Sequence, residues 1–325
     1  MTAYTIGIDI GGTKIAGGAV DEAGSIQARA RADSPHRSTS PDVVEDVIAT
    51  VVARLVEEVG RDTVAAVGVG AAGFVSADRA TVAFSPHLSW RNEPLRTALE
   101  QRVGLPTVVE NDANAAAWAE WKFGAGRGES HLVAVNLGTG IGGGVVVDGC
   151  LQRGRYGMAG EFGHMQVVPR GLLCECGNRG CWEQYASGNA LVREARALIA
   201  AGSPMAEDLR ARAGGDAAGL TGPLISEAAR AGERVAVELL SELGHWLGVG
   251  IANLAAAFDP GTFVVGGGVS HAGPLLLDPA RATYRSQLTG RGYRTEARIV
   301  AAELGNEAGL IGAADLARLE LTGSR

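Results

Sequence analysis

The sequence contains an internal repeat of strand, glycine-rich turn and strand. Its first copy spans 5–20 and turns at 11–14, and its second copy spans 132–147 and turns at 138–144. Self-similarity of this kind indicates repeated structural units. Segments with helical periodicity alternate with short apolar segments after each copy. The sequence therefore predicts an α/β protein with mixed layers of sheet and helix.

Composition excludes several classes of protein. The chain has 325 residues and is 46% hydrophobic, which suffices for one large or two moderate domains. With a net charge of -7 and no run of Lys and Arg, we expect no nucleic-acid or membrane-surface partner. Asp9 interrupts the first apolar segment, which argues against a signal peptide, and the apolar stretch at 247–258 is too short to span a membrane. These features favour a reduced, cytoplasmic protein.

The order of the predicted elements suggests two lobes. We expect helices at 41–60, 113–123, 188–201, 225–258 and 306–319, and further strands at 64–70, 107–110 and 262–265. No low-complexity linker separates the halves, so we place a hinge near 110–115 and expect the last helix to return to the first half. The predicted domains are a small lobe of 1–114 plus 306–325 and a large lobe of 115–305.

One histidine and three cysteines have the composition of a zinc site. His164, Cys174, Cys176 and Cys181 supply four ligands, the number that a closed tetrahedral site requires. Four protein ligands leave no position for a nucleophile, so we expect one structural Zn²⁺ per chain. Crowded cysteines also argue against a disulfide framework. Cys150 lies outside the cluster, and we expect it to be a small buried apolar residue.

The glycine-rich turns are candidate phosphate sites. Gly138, Gly140 and Gly143 match the dinucleotide-binding pattern, but the segment after them predicts a strand where that fingerprint needs a helix. The sequence also lacks Gly-Lys-Ser/Thr, which excludes a P-loop. Bare backbone amides can instead wrap a phosphate, while each turn taken alone can equally be a simple tight turn. Together with a third cluster at 266–268, the turns predict one nucleotide site.

Three side chains in these segments suit phosphoryl transfer. Asp9 and Thr13 are placed to meet Mg²⁺ and a phosphate oxygen, although Thr13 can also be a turn cap. Asp112 lies between a predicted strand and a predicted helix, where functional side chains collect in α/β folds. We expect it to be the base that accepts the hydroxyl proton, with helix capping as the alternative.

The chain resembles the ROK sugar kinases (repressor, open reading frame, kinase), and most of all the bacterial glucokinases of that family. The motifs that carry the resemblance lie at 9–14, 111–114, 138–144, 161–164 and 174–183, within a similarity that runs from about Thr5 to Leu319. It implies the actin and hexokinase-like ATPase fold, with two ribonuclease-H-like lobes and a cleft between them. It also implies a homo-oligomer, either a dimer or a tetramer.

The resemblance implies that Mg-ATP phosphorylates the 6-hydroxyl of glucose, with Asp112 as the base, as in glycolysis. The expected sugar contacts are Gly73, Asn111, Asp112, Glu161, His164 and Glu183. The expected nucleotide contacts are Asp9, Gly11, Gly12, Thr13, Lys14, Gly138, Thr139, Gly140, Gly266, Gly267 and Gly268. Two alternatives stay open, an N-acetylhexosamine kinase and a non-catalytic sugar sensor. The phosphoryl donor is also open between ATP, another nucleotide and polyphosphate.

Overall fold

The computed structural model describes residues 3–323, and they form two compact units. The first unit contains residues 3–130, 144–160 and 303–323, and the second contains 131–143 and 161–302. The chain therefore passes from one unit to the other four times.

The secondary structure alternates strands and helices along the chain. The strands are β1 (Tyr4–Ile10), β2 (Lys14–Val20), β3 (Ile26–Asp33), β4 (Val64–Ala71), β5 (Phe74–Val75), β6 (Val82–Phe84), β7 (Arg91–Glu93), β8 (Thr107–Asn111), β9 (His131–Leu137), β10 (Ile141–Val147), β11 (Cys150–Leu151), β12 (Thr262–Gly266) and β13 (Arg298–Ala301). The helices are α1 (Pro41–Val59), α2 (Leu95–Val103), α3 (Asp112–Lys122), α4 (Glu183–Ala186), α5 (Gly188–Ala200), α6 (Glu207–Arg212), α7 (Gly222–Arg230), α8 (Arg234–Phe258), α9 (Pro274–Gln287) and α10 (Ala308–Thr322).

The main sheet of the first unit has the order β3-β2-β1-β4-β8. β1 pairs with β2 in antiparallel register, and β1, β4 and β8 run parallel to one another. In this register Asp9 lies opposite Gly70, and Gly70 lies opposite Glu110. Because parallel strands end at the same edge of a sheet, the carboxyl ends of β1, β4 and β8 bring the residues that follow them together.

Helices cover both faces of this sheet. The apolar face of α1 buries Ile48, Val52 and Leu55 in the core beneath β1 and β2. On the other face α10 packs so closely that a Cβ atom on Gly7 or Gly68 would collide with helix carbonyl groups. Glycine at these positions therefore sets the depth at which α10 lies on the sheet.

The second five-stranded sheet includes β9 and β12 of the second unit. Its order is β11-β10-β9-β12-β13, with β12 parallel to both β9 and β13. The long helix α8 packs against α9, and a Cβ atom on Gly244 or Gly248 would press on α9 carbonyl groups. By length and composition α8 could cross a membrane, with a mean hydropathy of 1.3, but 56% of its apolar window is buried inside the protein. A buried core helix passes that same test.

The structure confirms the repeat and most of the predicted elements. β1 and β2 form the first copy, β9 and β10 form the second, and α10 packs on the first unit as expected. Two predictions were wrong. The segment 225–258 holds two helices, α7 and α8, separated by a turn. Cys150 is exposed, at the start of β11 and directly after the two-residue turn that follows β10.

The division into compact units also differs from the predicted lobes. The prediction assigned α3 to the large lobe from residue 115 onward, whereas α3 packs on α10 in the first unit. Trp118 Nε1 donates to Asp315 at 2.8 Å, and Lys122 Nζ forms an ion pair with the same carboxylate at 2.8 Å. Contacts almost 200 residues apart in sequence hold α3 in place, and a local pattern does not reveal them.

Candidate active site and metal centre

The four predicted zinc ligands converge in the second unit. The ligand atoms of His164, Cys174, Cys176 and Cys181 all lie within 4.8 Å of one another. His164 Nδ1 is 3.7 Å from Cys174 Sγ, and the sulfur atoms of Cys176 and Cys181 are 3.6 Å apart. A tetrahedron with zinc bonds of about 2.3 Å to sulfur and about 2.0 Å to nitrogen has edges of about 3.6–3.8 Å. The donor set and its spacing thus fit Zn²⁺.

The electrostatics of the cluster also suit a cation. Burial raises the pKa of the Cys174 thiol, and so does its hydrogen bond to Glu183. The pKa of Cys176 is lowered instead, because hydrogen bonds from the Asn178 backbone and the neighbouring thiols outweigh the effect of burial. Zinc binds thiolates, so a bound ion would supply the positive charge that the buried Cys174 lacks.

Two carboxylates flank His164. Glu161 Oε2 lies 4.0 Å from His164 Nε2, and Glu183 Oε1 lies 3.5 Å from His164 Nδ1. Because Nδ1 faces the cysteines, Nε2 is the nitrogen left for a ligand. A metal on Nδ1 would fix both the tautomer and the direction of the ring.

The cysteine loop is fastened to the helices of the second unit. Short antiparallel bridges pair Gln166 with Cys181 and Leu173 with Arg179. Trp182 is fully buried, and its Nε1 donates to the Trp246 carbonyl at 2.7 Å. Its ring packs so tightly on α8 that a Cβ atom on Gly250 would collide with it. Trp182 therefore anchors the loop to the core.

The glycine turn between β9 and β10 contacts the start of α5. The backbone N–H of Gly188 donates to the Gly138 carbonyl at 2.9 Å, and Asn189 donates to the Thr139 carbonyl at 3.3 Å. No described atom lies within 4 Å of a Cβ atom placed on Gly138, whereas one on Gly140 would collide with Glu183 Oε2. The space beside Gly138 is thus open, whereas the side chain of Glu183, a candidate sugar contact, fills the space beside Gly140.

The third glycine cluster follows β12. Gly267 has φ +81°, and a Cβ atom there would collide with the Leu137 carbonyl at the end of β9. A Cβ atom on Gly266 would collide with Asn136 Oδ1, while one on Gly268 would meet open space. Within the second unit, the second and third glycine segments therefore lie side by side at the ends of β9 and β12, as the nucleotide prediction requires.

In the first unit the sheet edge brings Asp9 and Asp112 together. A Cβ atom on Gly70, between them, would lie 3.6 Å from Asp112 Cα and 3.8 Å from Asp9 Oδ1. Burial and, next, the Asp112 carboxylate raise the pKa of Asp9 to about 7, and Lys14 opposes the rise. Burial raises the pKa of Asp112 as well, and the backbone N–H of Ala113 opposes it. Two carboxyl groups that resist ionisation side by side form a site suited to proton transfer or to a cation.

Asn111 caps α3, and Asp112 is the first residue of the helix. Asn111 Oδ1 accepts from the Asn114 backbone N–H at 2.9 Å, and its Nδ2 donates to the Gly73 carbonyl at 3.1 Å. Asn111 is therefore the residue that caps α3, and the carboxylate of Asp112 is available for proton transfer or for binding a cation. Gly73 has φ +144°, and a Cβ atom there would collide with the Phe84 carbonyl, so the protein backbone already requires this glycine.

A buried ion pair behind Asn111 was not predicted. Glu110 is 2% exposed, and its Oε2 accepts from Arg153 Nε at 2.7 Å. Its Oε1 accepts from the Asn111 backbone N–H at 3.1 Å and from Asn114 Nδ2 at 3.4 Å. The pair supports the junction of β8 and α3 from inside. The glutamate stands next to a motif and the arginine 43 residues away, so the sequence alone gave no signal that they meet.

Comparisons with known proteins decide the family. The model of the ROK family matches residues 5–320. The chain belongs to the ROK family. A glucokinase from Streptomyces coelicolor is 53% identical over 97% of each chain, and a glucokinase from Thermotoga maritima is 35% identical over 98% of each. The structure of a ROK glucokinase from Streptomyces griseus, in complex with glucose and AMPPNP, matches with a TM-score of 0.89 and 53% identity, over 97% of this chain and 99% of that chain.

Membership of the ROK family confirms the fold expected from the motifs. The two five-stranded sheets and their covering helices form the α/β, hexokinase-like ATPase fold that ROK proteins share. The strand–turn–strand repeat lies at the start of each half of that fold. The roles of single residues stay predictions.

Proposed function

We propose that this chain is an ATP-dependent glucokinase. It transfers the γ-phosphoryl group of ATP to the 6-hydroxyl of glucose and releases glucose 6-phosphate and ADP. The observation that carries the proposal is 53% identity, over nearly the whole chain, to a ROK glucokinase crystallised with glucose and AMPPNP. The acidic pair and the cysteine cluster supply the chemistry that the reaction needs.

Asp112 is the proposed base. Phosphoryl transfer needs an aligned hydroxyl and a place for its proton, and the carboxylate of Asp112 is free of the capping role that Asn111 fills. Its raised pKa makes it a better proton acceptor than an exposed aspartate. The proton of the sugar hydroxyl passes to Asp112 as the bond from sugar oxygen to phosphorus forms.

The sugar hydroxyls are bound by amide, carboxylate and imidazole groups. We assign this role to Gly73, Asn111, Asp112, Glu161, His164 and Glu183. Structural Zn²⁺ held by His164 and the three cysteines would keep His164 Nε2 facing the sugar. A hydroxyl absent from a competing sugar would leave a buried partner unpaired, which can cost about 10⁴ to 10⁵ in specificity.

The nucleotide is bound by backbone amides of the glycine turns. The assigned residues are Asp9, Gly11, Gly12, Thr13, Lys14, Gly138, Thr139, Gly140, Gly266, Gly267 and Gly268. Mg²⁺ with the donor phosphates would offset the charge that Asp9 and Asp112 share. We also propose a cytoplasmic homo-oligomer, a dimer or tetramer, that acts in glycolysis without nucleic-acid or membrane partners.

A coupled phosphorylation assay tests the function. Protein analysed for zinc is supplied with Mg-ATP and, in turn, glucose, mannose, fructose, N-acetylglucosamine and N-acetylmannosamine. Turnover on glucose well above the others is expected, with about one zinc per chain. Preference for an N-acetylated sugar would assign the chain to the N-acetylhexosamine kinases. Sugar binding without turnover on any of them would assign a sugar sensor, and turnover with polyphosphate in place of ATP would change the donor.

A further inference from the structure

The loop between β6 and β7 is held rigid by its own hydrogen bonds. Ser85 is fully buried, and its Oγ donates to the Ala72 carbonyl at 2.8 Å, just after β4. Arg91 Nη1 donates to the carbonyl groups of Ser85, Leu88 and Trp90 at 3.0, 3.3 and 2.6 Å. The loop is therefore closed around one guanidinium group and tied to the edge of the sheet where Asp112 lies.

This rigid loop presents one imidazole to solvent. Leu88 and Trp90 point into the core, with exposed fractions of 4% and 0%, whereas His87 is exposed. An exposed histidine on a fixed loop, at the edge of a sheet that holds two acidic groups, is placed to meet a ligand.

Two neighbours locate the His87 ring. A Cβ atom on Gly12, in the first glycine turn, would lie 3.8 Å from His87 Cβ and 3.9 Å from Cγ. Burial raises the pKa of Asp112, and His87 is one of the neighbours whose electrostatic effect opposes the rise. His87 thus stands beside both the glycine turn assigned to phosphate and the carboxylate assigned to the sugar hydroxyl.

We propose that His87 is a further catalytic residue, whose imidazole donates a hydrogen bond to the phosphoryl group in transfer. The proposal rests on the proposed function, because it places the phosphoryl group between the first glycine turn and Asp112. In the reaction the bond from phosphorus to the donor's bridging oxygen breaks and the bond to the sugar oxygen forms. The hydroxyl proton goes to Asp112, and His87 keeps its own protons.

The chemistry of the group suits this role. The transferring phosphoryl group carries its charge on three equatorial oxygens, and hydrogen-bond donors aimed at them lower the barrier. An imidazole carries at least one N–H in either protonation state. Lys14, at the start of β2, is a cation near the acidic pair, and it is exposed. His87 therefore adds a directed donor beside this flexible cation.

The test compares His87→Ala with His36→Ala, an exposed histidine of the first unit whose ring bonds only to nearby Ser38 among the contacts described. Turnover is measured with glucose and Mg-ATP. Binding of Mg-AMPPNP and of Mg-ADP is measured by calorimetry in the presence of glucose. For His87→Ala we expect turnover to fall about 10- to 100-fold, less than for an enclosed donor because His87 is exposed. AMPPNP should bind about tenfold more weakly while ADP, which lacks the γ-phosphate, binds as before.

Each outcome separates this proposal from the proposed function. Unchanged turnover and an unchanged ratio of AMPPNP to ADP affinity in His87→Ala would overturn the role of His87 and leave a glucokinase in place. Equal weakening of both nucleotides with a lower melting temperature would show that His87 only supports the loop, and would overturn it too. Loss confined to AMPPNP in a protein that phosphorylates no sugar would support His87 and refute the glucokinase.

Discussion

The Cys174 thiol donates a hydrogen bond to Glu183, with 3.0 Å between Sγ and Oε1. The other oxygen of this carboxylate faces the glycine turn, where it fills the space that a side chain on Gly140 would need. Glu183 therefore connects the metal cluster with the turn assigned to the nucleotide. Within the second unit, the order of the cysteine loop and the shape of the turn depend on one side chain.

Alanine at the two ends of that turn should have different effects. In Gly140→Ala the new methyl group displaces Glu183, so we expect glucose KM to rise and the melting temperature to fall. In Gly138→Ala the methyl group enters space where no described atom lies within 4 Å, so the fold should be unchanged. A weaker affinity for Mg-ATP in Gly138→Ala would then result from contact between the new methyl group and the nucleotide.

The matched control is Gly222→Ala in α7, which also has open space and no positive φ. We expect it to match the wild type in melting temperature and in both KM values. If Gly138→Ala behaves like Gly222→Ala, the turn does not hold the nucleotide. If Gly140→Ala also behaves like Gly222→Ala, the position of Glu183 does not depend on the turn.

Removal of one cysteine ligand should release the metal. We expect Cys176→Ser to lose most of its zinc, to melt at a lower temperature and to lose activity together with the metal, because the cluster orders the loop that carries Glu183. Metal analysis, thermal melting and the kinase assay measure the three effects. Cys150→Ser is the control, since its thiol is exposed and outside the cluster. Full activity of a metal-free Cys176→Ser protein would refute a structural zinc.

Replacement of the proposed base should reduce turnover more than binding. Asp112→Asn keeps the size of the side chain but cannot accept the hydroxyl proton, so we expect kcat to fall about 10²- to 10⁴-fold. Glucose binding, followed by calorimetry, should stay detectable. Asp62→Asn, an exposed carboxylate in the 3₁₀ turn after α1, should be indistinguishable from the wild type. A wild-type kcat in Asp112→Asn would exclude it as the base.

The raised pKa of Asp9 predicts a pH-dependent stability. Between its ordinary value of 3.8 and its folded value of about 7, folded Asp9 keeps a proton that the unfolded chain has lost. The unfolded state binds fewer protons in this range, so the contribution of Asp9 to stability falls as pH rises from about 4 to 7. Asp9→Asn should therefore melt a few degrees higher than the wild type at pH 8 and similarly at pH 4.

The same substitution should lower activity, because Asp9 is assigned to the nucleotide and its cation. Melting curves from pH 4 to 8 and kinase assays at pH 8 measure the two effects, with Asp62→Asn again as the control. A wild-type melting temperature for Asp9→Asn at pH 8 would show that ionised Asp9 carries no cost in the folded protein.

The sequence predicted best where chemistry is concentrated in short segments. His164 and the three cysteines lie within 18 residues of sequence and have few uses other than a metal, so their convergence was foreseeable. For Asp112 the sequence left helix capping as an alternative, and the structure removes it because Asn111 fills the cap position.

Sequence patterns did not predict packing between segments that are distant in sequence. The contact of Trp182 with Gly250 and the ion pair of Glu110 with Arg153 depend on how distant segments meet. Lone residues gave the weakest signals. Cys150 was expected to be buried from its residue type, although it is exposed at the start of β11. His87 belongs to none of the motifs, and its orientation follows only from the hydrogen-bonded loop that carries it.

The first unit is assembled from three separate stretches of chain. The last of them, 303–323, includes α10, which packs on one face of the five-stranded sheet over β1 and β4. During synthesis β1 and β4 therefore leave the ribosome long before the helix that fills the space above Gly7 and Gly68. Domains usually fold in the order in which they are made, but here the amino-terminal half must wait for the final residues. The whole second unit emerges within that interval, and nascent chains stalled before residue 303 should expose the uncovered face of the first sheet.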